Sequence, residues 1–402
     1  MECYLMNRDK KVFRLEYNDI LSGFDKIYEI YDISFAPLIV SAAKENSNLV
    51  LKELNKWFRN RGIPSWRDDL ERLLYRLNVD TTDELLNKAY GLSLSDQYWV
   101  KPVSKNITHD DINFFDHEFN SADFANATFI NDSVKLENIN LMTPNNTTDG
   151  MLKKSWIIEM ENRILVKGGY KNSTQQPLNE FLASLICERL GFDHVKYQID
   201  VINGKLVSKC NCFITKNTEL IGAHNVFSGY KRQNPLEDYE YFIHILQKNG
   251  IKNPREKIEN MLLLDYIIRN VDRHLNNFGI IRDVNTLKWL DIAPIFDNGQ
   301  SMEILDSTQN SIIVEESGKF FYDVVPFNWL LTVIKDMSRF DFTKLNGIVE
   351  IWEETLKRYQ YASGMTDEKI YRLCYLLNNR IENLQNLYPN NIEEVRSSKK
   401  IL

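Results

Sequence analysis

The chain has 402 residues, a formal net charge of −7 and a pI near 5.6. This length exceeds the size at which a single hydrophobic core stops growing, so it favours more than one folded unit. Hydrophobic residues make up 43% of the chain and charged residues 26%, which is typical of a globular protein. The acidic balance argues against a general nucleic-acid-binding protein, and no apolar run is long enough to span a membrane.

The cysteines and the N-terminus indicate a compartment. The five cysteines are widely scattered, which favours a reducing cytosol. The N-terminus lacks the basic-then-apolar order of a secretory signal, so the sequence predicts a cytoplasmic protein. Cys210 and Cys212 form a C-x-C pair that can bind metal or be redox active. Two alternate residues on a strand are the simpler interpretation, because no second pair or histidine cluster accompanies them.

Residues 1–96 are predicted to form a mostly helical N-terminal unit. Alternating apolar and polar residues over positions 1–33 favour a small group of strands, and apolar residues at three- and four-residue spacing follow over positions 34–60. Gly62 and Pro64 interrupt this pattern, and Thr81 is placed to cap a later helix. Basic residues in this unit alternate with acidic ones, so a solvated charged face is favoured over a nucleic-acid or partner surface.

Residues 97–215 are predicted to hold a connector followed by a β-rich lobe. The connector, up to residue 146, is rich in Asn and Asp and reads as an extended segment that wraps a neighbouring domain. Large aromatic side chains are costly to leave in water. The predicted anchors of the connector are therefore its phenylalanines, Phe114, Phe115, Phe119 and Phe124.

A strand, a turn and a second strand are predicted over residues 147–166. Gly150 lies in a polar loop before Lys153 and Lys154, and backbone amides and lysines of such a loop can cover phosphates. An ordinary hairpin turn is the alternative. Lys167 ends the second strand, where a buried lysine can reach the α- and β-phosphates of a nucleotide. A solvent-facing lysine is the alternative there.

The next helix is predicted over residues 177–190, with Pro177 at its start and Gly191 at its end. Glu180 lies in its predicted first turn. A helix glutamate paired with a strand lysine holds the nucleotide-reaching lysine in kinases, although Glu180 can instead complement the helix dipole.

A hairpin with an Asn-Gly turn at positions 203 and 204 follows. In a two-lobed nucleotide site, the strand that leaves this sheet becomes a hinge. The backbone groups that would meet the adenine are those near Cys212, Phe213 and Ile214.

The most informative stretch covers residues 261–299. An apolar helical run is followed by a polar loop, two short β-type runs and an acid, Asp297. Phosphoryl transfer needs cations to neutralise the phosphates and a carboxylate to orient the attacking hydroxyl. Mg²⁺ keeps several waters and takes one or two carboxylates. Asp272 can face the acceptor while Asn277 and Asp297 hold the metal. A helix end and a turn are the alternative, since Asn, Asp and Gly favour both.

These residues resemble the HipA-type bacterial serine/threonine kinases. The resemblance rests on Lys167, Glu180, the motif VDRHLNNFG at residues 271–279 and IFDNG at residues 295–299. It covers residues 98 to the C-terminus, and the form D-R-H-x-x-N is shared with phosphatidylinositol kinases. In the HipA toxins, a lysine precedes the metal asparagine, whereas Asn276 stands there in this chain. The N-terminal region is also longer and more helical than the short β-rich domain of those toxins.

The resemblance implies an α+β, two-lobed protein-kinase-like fold, with a β-rich N-lobe, a helical C-lobe and ATP between them. A mostly helical unit precedes these lobes. The implied division is a unit at residues 1–96, the connector and N-lobe at 97–215, and the C-lobe at 216–402. The resemblance also implies roles: Asp272 is the catalytic base, Lys167 reaches the phosphates, Asn277 and Asp297 bind Mg²⁺, and Gly150 with Lys154 belongs to the phosphate-covering loop. The full set expected to contact the nucleotide is Gly150, Lys153, Lys154, Lys167, Glu180, Cys212, Phe213, Ile214 and His274.

The expected function is an ATP- and Mg²⁺-dependent kinase acting on Ser or Thr of a protein substrate, with an antitoxin or regulatory partner left open. Two alternatives stand beside it, an inactive nucleotide-binding scaffold and a lipid or small-molecule kinase. No basic amphipathic membrane helix supports the lipid kinase. Candidate sites of self-phosphorylation are Ser155, Ser301, Ser307 and Thr308.

Overall fold

The computed structural model describes residues 1–19, 22–130, 135–137, 139–170, 174–228, 230–302 and 317–389. The chain divides into two compact units. The first comprises Met1–Lys171, Lys209–Lys231 and Gly279–Ala293, and the second comprises Asn172–Ser208, Arg232–Phe278 and Pro294–Leu402. Both contain helices and antiparallel strands, so the predicted α+β class is confirmed.

The elements follow in chain order. The first part of the chain contains β1 (Glu2–Asn7), β2 (Lys10–Asn18), β3 (Gly23–Ile30), α1 (Leu38–Ser41), α2 (Ser47–Arg59), α3 (Leu70–Leu77), α4 (Thr82–Lys88), β4 (Tyr98–Pro102), α5 (His109–Ile112), α6 (Ala122–Phe129), β5 (Lys154–Glu159) and β6 (Asn162–Gly168). The middle contains α7 (Gln175–Leu190), β7 (Tyr197–Ile202), β8 (Lys205–Asn211), β9 (Thr218–Gly222), α8 (Ala223–Val226), α9 (Pro235–Lys248) and α10 (Pro254–Ile268). The remainder contains β10 (Gly279–Asp283), β11 (Trp289–Ile292), β12 (Ser317–Phe320), β13 (Asp323–Pro326), α11 (Phe327–Val333), α12 (Ile348–Arg358), α13 (Gln360–Ser363) and α14 (Asp367–Leu387).

The N-terminal elements follow the predicted pattern. β1, β2 and β3 arise where the sequence alternates, and helices α1 to α4 follow. The side chain of Thr81 accepts a hydrogen bond from the amide of Glu84, so Thr81 caps α4 as predicted. The sheet buries Leu5, Phe13 and Leu15 against α2 in one apolar core.

The connector contributes regular structure to the first unit. β4 pairs antiparallel with β1, giving the strand order β3-β2-β1-β4. Three of the predicted anchors, Phe114, Phe119 and Phe124, are buried, while Phe115 is partly buried. The segment expected to be extended thus joins the first sheet and then forms the short helices α5 and α6. Because the sheet crosses position 96, the three-part domain division stays a prediction.

Two hairpins and a third sheet complete the strands that precede residue 300. β5 and β6 pair antiparallel, with Lys154 opposite Lys167. The turn between β7 and β8 has positive φ at Asn203 and Gly204, as the Asn-Gly pair predicts. In the sheet β11-β10-β9, a Cβ on Gly279 would lie 2.1 Å from the carbonyl oxygen of Ile221, so only glycine fits there.

Helix α10 forms the centre of the second unit. Its side chains from Met261 to Ile268 are all buried, and α7, α11 and α14 pack against it. This burial explains the continuous apolar run in the sequence, since a helix covered on all sides needs no polar face. No helix in the described part of the chain is long and apolar enough to cross a membrane.

The five cysteines form no disulfide. Cys210 is buried on β8, and Cys212 follows the strand. Burial raises the pKa of the Cys212 thiol to about 11. A protonated thiol is a poor nucleophile and metal ligand, so the structural interpretation of the C-x-C pair is favoured.

Candidate active site

The polar loop at residues 270–277 is shaped by the end of α10. Arg269 adopts a left-handed conformation with φ of 54° and ends the helix. Asn270 then donates from Nδ2 to Asp265 Oδ1 at 2.9 Å and accepts at Oδ1 from the amide of Asp272 at 3.0 Å. The helix is therefore terminated as the sequence predicts, and the side chain of Asn270 turns the chain towards Asp272.

Arg273 is the centre of the loop. Its buried guanidinium donates to Asp265 from Nε at 2.9 Å and from Nη2 at 2.9 Å. Nη1 donates to the carbonyl oxygens of Asn277 and Phe296, both at 2.8 Å, and Nη2 donates to Asn298 Oδ1 at 2.5 Å. One side chain thus joins the loop to the segment on both sides of Asp297.

The charge of Arg273 is secured by the same contacts. Burial acts to lower the pKa of the guanidinium, but the carboxylates of Asp265, Asp297 and Glu180 together outweigh it and hold the pKa above its ordinary value. Buried ion pairs persist only when further hydrogen bonds satisfy the remaining donors. The three further acceptors around Arg273 meet that condition.

The predicted catalytic base, Asp272, is partly buried beside two basic side chains. Its Oδ1 accepts a hydrogen bond from Lys319 Nζ at 2.6 Å, and its Oδ2 lies 3.8 Å from His274 Nε2. His274 also accepts from the amide of Asn276 at Nδ1, at 3.2 Å. The structure therefore brings His274 to Asp272, whereas its predicted contact with nucleotide stays a prediction.

The amide of Asn277 has a defined orientation. It is nearly buried, and its Nδ2 donates to the carbonyl oxygen of Asp272 at 2.9 Å. This contact uses the nitrogen end of the amide and leaves Oδ1 as the end that a cation can bind. Hydrogen bonds of this kind orient metal ligands in many proteins.

Asp297 lies in a short segment held by α7. Its backbone is left-handed, with φ of 57°, and its amide donates to Tyr197 Oη at 3.3 Å. The next amide, that of Asn298, donates to Glu180 Oε2 at 2.8 Å. Non-glycine residues rarely adopt this backbone conformation unless their surroundings hold them there, and such residues cluster at functional sites.

Glu180 has a different place from the predicted one. Helix α7 begins at Gln175, two residues before Pro177, so Glu180 is not in the first turn. Its side chain is 1% exposed and binds the Asn298 amide, which argues against a helix-dipole role. The structure thus ties Glu180 to the Asp297 segment, and its pairing with Lys167 stays a prediction.

Metal ligands were predicted at Asn277 and Asp297. Within the described residues, no group of three or more His, Cys, Asp or Glu side chains forms a metal site. An amide and a carboxylate oxygen are nevertheless the hard donors that Mg²⁺ accepts, with water and phosphate oxygens completing its shell. The donor set at these two positions therefore suits Mg²⁺ bound together with a nucleotide.

The predicted phosphate loop lies in the first unit. Gly150 has φ of 92°, and a Cβ there would lie 2.8 Å from Lys154 Nζ, so the loop and this amine approach closely. Lys154 is directly opposite Lys167, which is 4% exposed. Lys167 is thus buried, against the solvent-facing alternative.

The same loop is held by residues from the N-terminal unit. Buried Arg67 donates from Nε to the carbonyl oxygen of Gly150 at 2.8 Å, and from Nη2 to the carbonyl and hydroxyl oxygens of Thr148. Lys153 Nζ pairs with Asp69 at 2.7 Å. The cation of Lys153 is therefore engaged by a carboxylate, and its predicted contact with nucleotide stays a prediction.

The predicted adenine-binding segment follows β8. The amide of Cys212 donates to Arg163 O at 2.8 Å, and its thiol lies 3.5 Å from Leu94 O and 3.4 Å from Ile214 O. Ile214 is buried and Phe213 is partly buried. Their contact with adenine stays a prediction.

The candidate phosphorylation sites differ in access. Ser155 is fully buried on β5, and Ser301 is 1% exposed with its hydroxyl donating to Asn298 O. A buried hydroxyl cannot reach an active site without local unfolding, so both positions are poor acceptors in this conformation. Ser307 and Thr308 lie outside the described residues.

Sequence reasoning gave no role to three residues that the structure shows to be important. Asp265 and Lys319 contact the loop at residues 270–277, and Arg67 contacts the loop at residues 147–154. Asp265 has a visible signal, because it is a lone acid in the apolar run of α10. Arg273 was recognised, next to His274, as a residue that a plain loop does not need, but its partners were not predicted. Arg67 and Lys319 have no local signal, since their partners lie far away in sequence.

The chain matches no protein-family model and no curated protein sequence. Among solved structures, it is similar to a proinflammatory kinase, CtkA, from Helicobacter pylori, with 18% identity, a TM-score of 0.43, and coverage of 58% of this chain and 94% of CtkA. It is also similar to HipA of Shewanella oneidensis, solved with HipB and operator DNA, with 12% identity, a TM-score of 0.54, and coverage of 98% and 99%. The similarity to HipA shows that the chain has the fold of the HipA-type kinases, the family that its motifs resemble.

Proposed function

We propose that this protein is an ATP- and Mg²⁺-dependent phosphotransferase that acts on a serine or threonine hydroxyl of a protein substrate. The observation that carries the proposal is the position of Arg273. Its guanidinium hydrogen-bonds both the loop that bears Asp272 and Asn277 and the residues on either side of Asp297. A plain helix end or turn needs no such buried cross-connection.

The residues have distinct roles in this reaction. Asp272 orients the acceptor hydroxyl and accepts its proton. Asn277 and Asp297 would hold Mg²⁺, which neutralises charge on the phosphates when bound. Lys167 and Lys154, opposite each other on β6 and β5, attract the nucleotide phosphates electrostatically. Positioning and electrostatics of this kind supply most of the catalysis in phosphoryl transfer.

Transfer of labelled phosphate from ATP tests the proposal. The wild-type protein should label itself or a protein in a lysate in the presence of Mg²⁺, and chelation should abolish the labelling. Asp272→Asn should lower the rate by about 10²- to 10⁴-fold, the usual contribution of a general base. It should leave ATP binding, measured by calorimetry, nearly unchanged. The matched control is Asp110→Asn, an exposed acid on α5.

The outcomes separate the candidate functions. An Asp272→Asn variant as active as the wild type would overturn the proposed role of Asp272. Wild-type protein that binds ATP but never transfers phosphate would favour the inactive scaffold. Phosphoproteomics of cells expressing the wild type or Asp297→Ala would identify protein substrates, and labelled lipid in place of protein would favour the lipid kinase.

An antitoxin-like or other regulatory protein partner is also proposed. The support is the fold shared with Shewanella HipA, which was solved with HipB and DNA. Co-expression with a candidate partner followed by size-exclusion chromatography tests this, and a partner that elutes separately at micromolar concentration would count against it. The proposed location is the cytoplasm, which offers ATP and keeps thiols reduced.

A further inference from the structure

The hairpin of β12 and β13 brings a lysine to the predicted catalytic base. Lys319 on β12 donates from Nζ to Asp272 Oδ1 at 2.6 Å. Its side chain is 47% exposed, and that of Asp272 is 31% exposed, so solvent and ligands can reach both. The ammonium therefore stands at the surface where an acceptor hydroxyl would approach Asp272.

The position of Lys319 is built into the backbone. Its amide donates to the carbonyl oxygen of Val271 at 3.2 Å, and Phe321 forms a parallel bridge with His274. A Cβ on Gly318 would lie 2.6 Å from the carbonyl oxygen of Asn270 and 2.8 Å from a ring carbon of Phe327. The hairpin can approach the loop this closely only because residue 318 is glycine.

Aromatic packing also holds the hairpin at the two residues that follow Lys319. Phe320 and Phe321 are 1% and 4% exposed. They pack in edge or tilted geometry against three buried rings and one partly buried ring, namely Tyr239, Phe242, Phe278 and, partly buried, Trp329. Burial of two phenylalanine side chains stabilises the fold far more than one exposed ion pair does. The pairing of Lys319 with Asp272 thus follows from a rigid scaffold and not from the attraction of two loose side chains.

A stabilising surface ion pair is the simplest alternative for Lys319. Exposed ion pairs stabilise a fold only weakly, which gives little reason for placing a glycine and two buried rings around this lysine. The loop at residues 270–277 also has one permanently charged side chain of its own, Arg273, and that guanidinium is buried and bound to Asp265. Phosphoryl transfer spreads negative charge over three oxygens, which an exposed cation at Asp272 would stabilise.

We propose that Lys319 is a catalytic residue of the phosphotransfer proposed above, on which this inference rests. Its ammonium positions Asp272 and contacts an oxygen of the phosphoryl group during transfer. In that step, the acceptor oxygen bonds to the γ-phosphorus, and the bond from the γ-phosphorus to the bridging oxygen breaks. ADP leaves with that electron pair, and the hydroxyl proton passes to Asp272. Lys319 stays protonated throughout.

The experiment compares Lys319→Met, Lys319→Arg and Lys357→Met with the wild type. Lys357 is the matched control, because it is an exposed lysine bound to a carboxylate, Glu353, at 2.5 Å on α12. Lys319→Met should lower kcat about 10²-fold, as expected for loss of one charged donor to the transition state. The arginine variant should recover part of this loss. Lys357→Met should match the wild type.

A binding measurement separates this role from a structural one. The affinity for ADP with aluminium fluoride, which resembles the transferring phosphoryl group, should fall at least about tenfold in Lys319→Met. The affinity for ADP alone should be unchanged, as should the urea midpoint of unfolding relative to Lys357→Met. Equal weakening of both ligands, or a kcat equal to or above that of the wild type, would overturn the role of Lys319 alone. A wild-type protein and a Lys357→Met control that both lack phosphotransfer would overturn the proposed function and this inference together.

Discussion

One buried arginine holds each of two loops of this protein, the loop at residues 270–277 in the second unit and the loop at residues 147–154 in the first. The charges of the two arginines are balanced by different partners. Arg273 faces a buried carboxylate, Asp265, in addition to its neutral acceptors. Arg67 is hydrogen-bonded to the carbonyl oxygens of Gly150 and Thr148 and to a hydroxyl group. The first loop is tied into its own unit's core by an ion pair, and the second is tied down by backbone acceptors.

The pKa values reflect this difference. Burial lowers the pKa of Arg67 to about 10, and the charge of Asp149 only partly offsets that effect. Burial also acts on Arg273, but Asp265, together with Asp297 and Glu180, outweighs it and raises the pKa. The ion pair with Asp265 thus anchors Arg273 in the core of the second unit. Arg67 is buried at a desolvation cost that no paired carboxylate offsets in full. Its hydrogen bonds should therefore stabilise the fold less than the ion pair of Arg273 does.

The N-terminal part of the chain also has a structural role, because two of its residues hold the loop at residues 147–154. Arg67 and Gly150 are 83 positions apart, and Lys153 and Asp69 are 84 apart. Two residues just before α3, Arg67 and Asp69, therefore hold the predicted phosphate loop. Arg67 is one of the basic residues expected on a solvated charged face, and its burial shows that this prediction was wrong at position 67.

The largest effect is expected for Arg273→Met. The variant leaves Asp265 buried without its cation, so the free energy of unfolding should fall by about 3–5 kcal/mol. Urea denaturation measures it. Arg282→Met is the matched variant, because it removes the cation from another buried carboxylate, Glu219, in the sheet of β9 and β10. It should destabilise the fold for the same reason. Adding Asp265→Leu to Arg273→Met should restore part of the stability, because no unpaired charge then remains. A loss below about 1 kcal/mol in Arg273→Met would contradict the central role of the ion pair.

An intermediate effect is expected for Arg67→Met. The variant leaves the carbonyl oxygens of Thr148 and Gly150 without their donor, and the free energy of unfolding should fall by about 1–3 kcal/mol. Hydrogen exchange of the amides at residues 148–154 should accelerate, while α10 keeps its protection. Arg59→Met, an exposed arginine at the end of α2, is the control. Equal exchange in Arg67→Met and Arg59→Met would break the comparison, because the loop would then be held without Arg67.

The smallest effect is expected for Asp69→Asn. This carboxylate is 31% exposed and pairs with Lys153 and Arg72, so the loss of stability should be at most about 1 kcal/mol near neutral pH. Burial raises the pKa of Asp69, but the two cations outweigh it, and the pKa lies below its ordinary value.

The sign of that shift predicts a pH dependence. A carboxyl group whose pKa is lowered by folding stabilises the fold above its unfolded pKa and ceases to do so as the pH falls through its folded pKa. The difference in stability between the wild type and Asp69→Asn should therefore shrink between pH 5 and pH 3. A difference that grows on acidification would show that another group, and not Asp69, carries the effect.

Local features of the fold were predictable because they depend on neighbours within a few residues. Thr81 caps α4, Gly191 ends α7, and the Asn-Gly turn joins β7 and β8. The helix, loop, hairpin and acid of residues 261–299 also occur in the predicted order. The start of α7 was misplaced by two residues, because Pro177 marks its third position and not its first.

The sequence by itself determined the order of the elements, the position of the polar loop, and the residue types that suit phosphoryl transfer. Only the tertiary structure decided that Arg273 joins the loop at residues 270–277 to the residues on either side of Asp297. It alone also decided that Arg67 holds the Gly150 loop and that Lys319 reaches Asp272 across 47 positions. The physical reason is the distance in sequence between the residues that interact. Periodicity, caps and turns act between residues close in sequence, whereas these contacts exist because packed elements bring distant side chains together, which spacing along the chain does not encode.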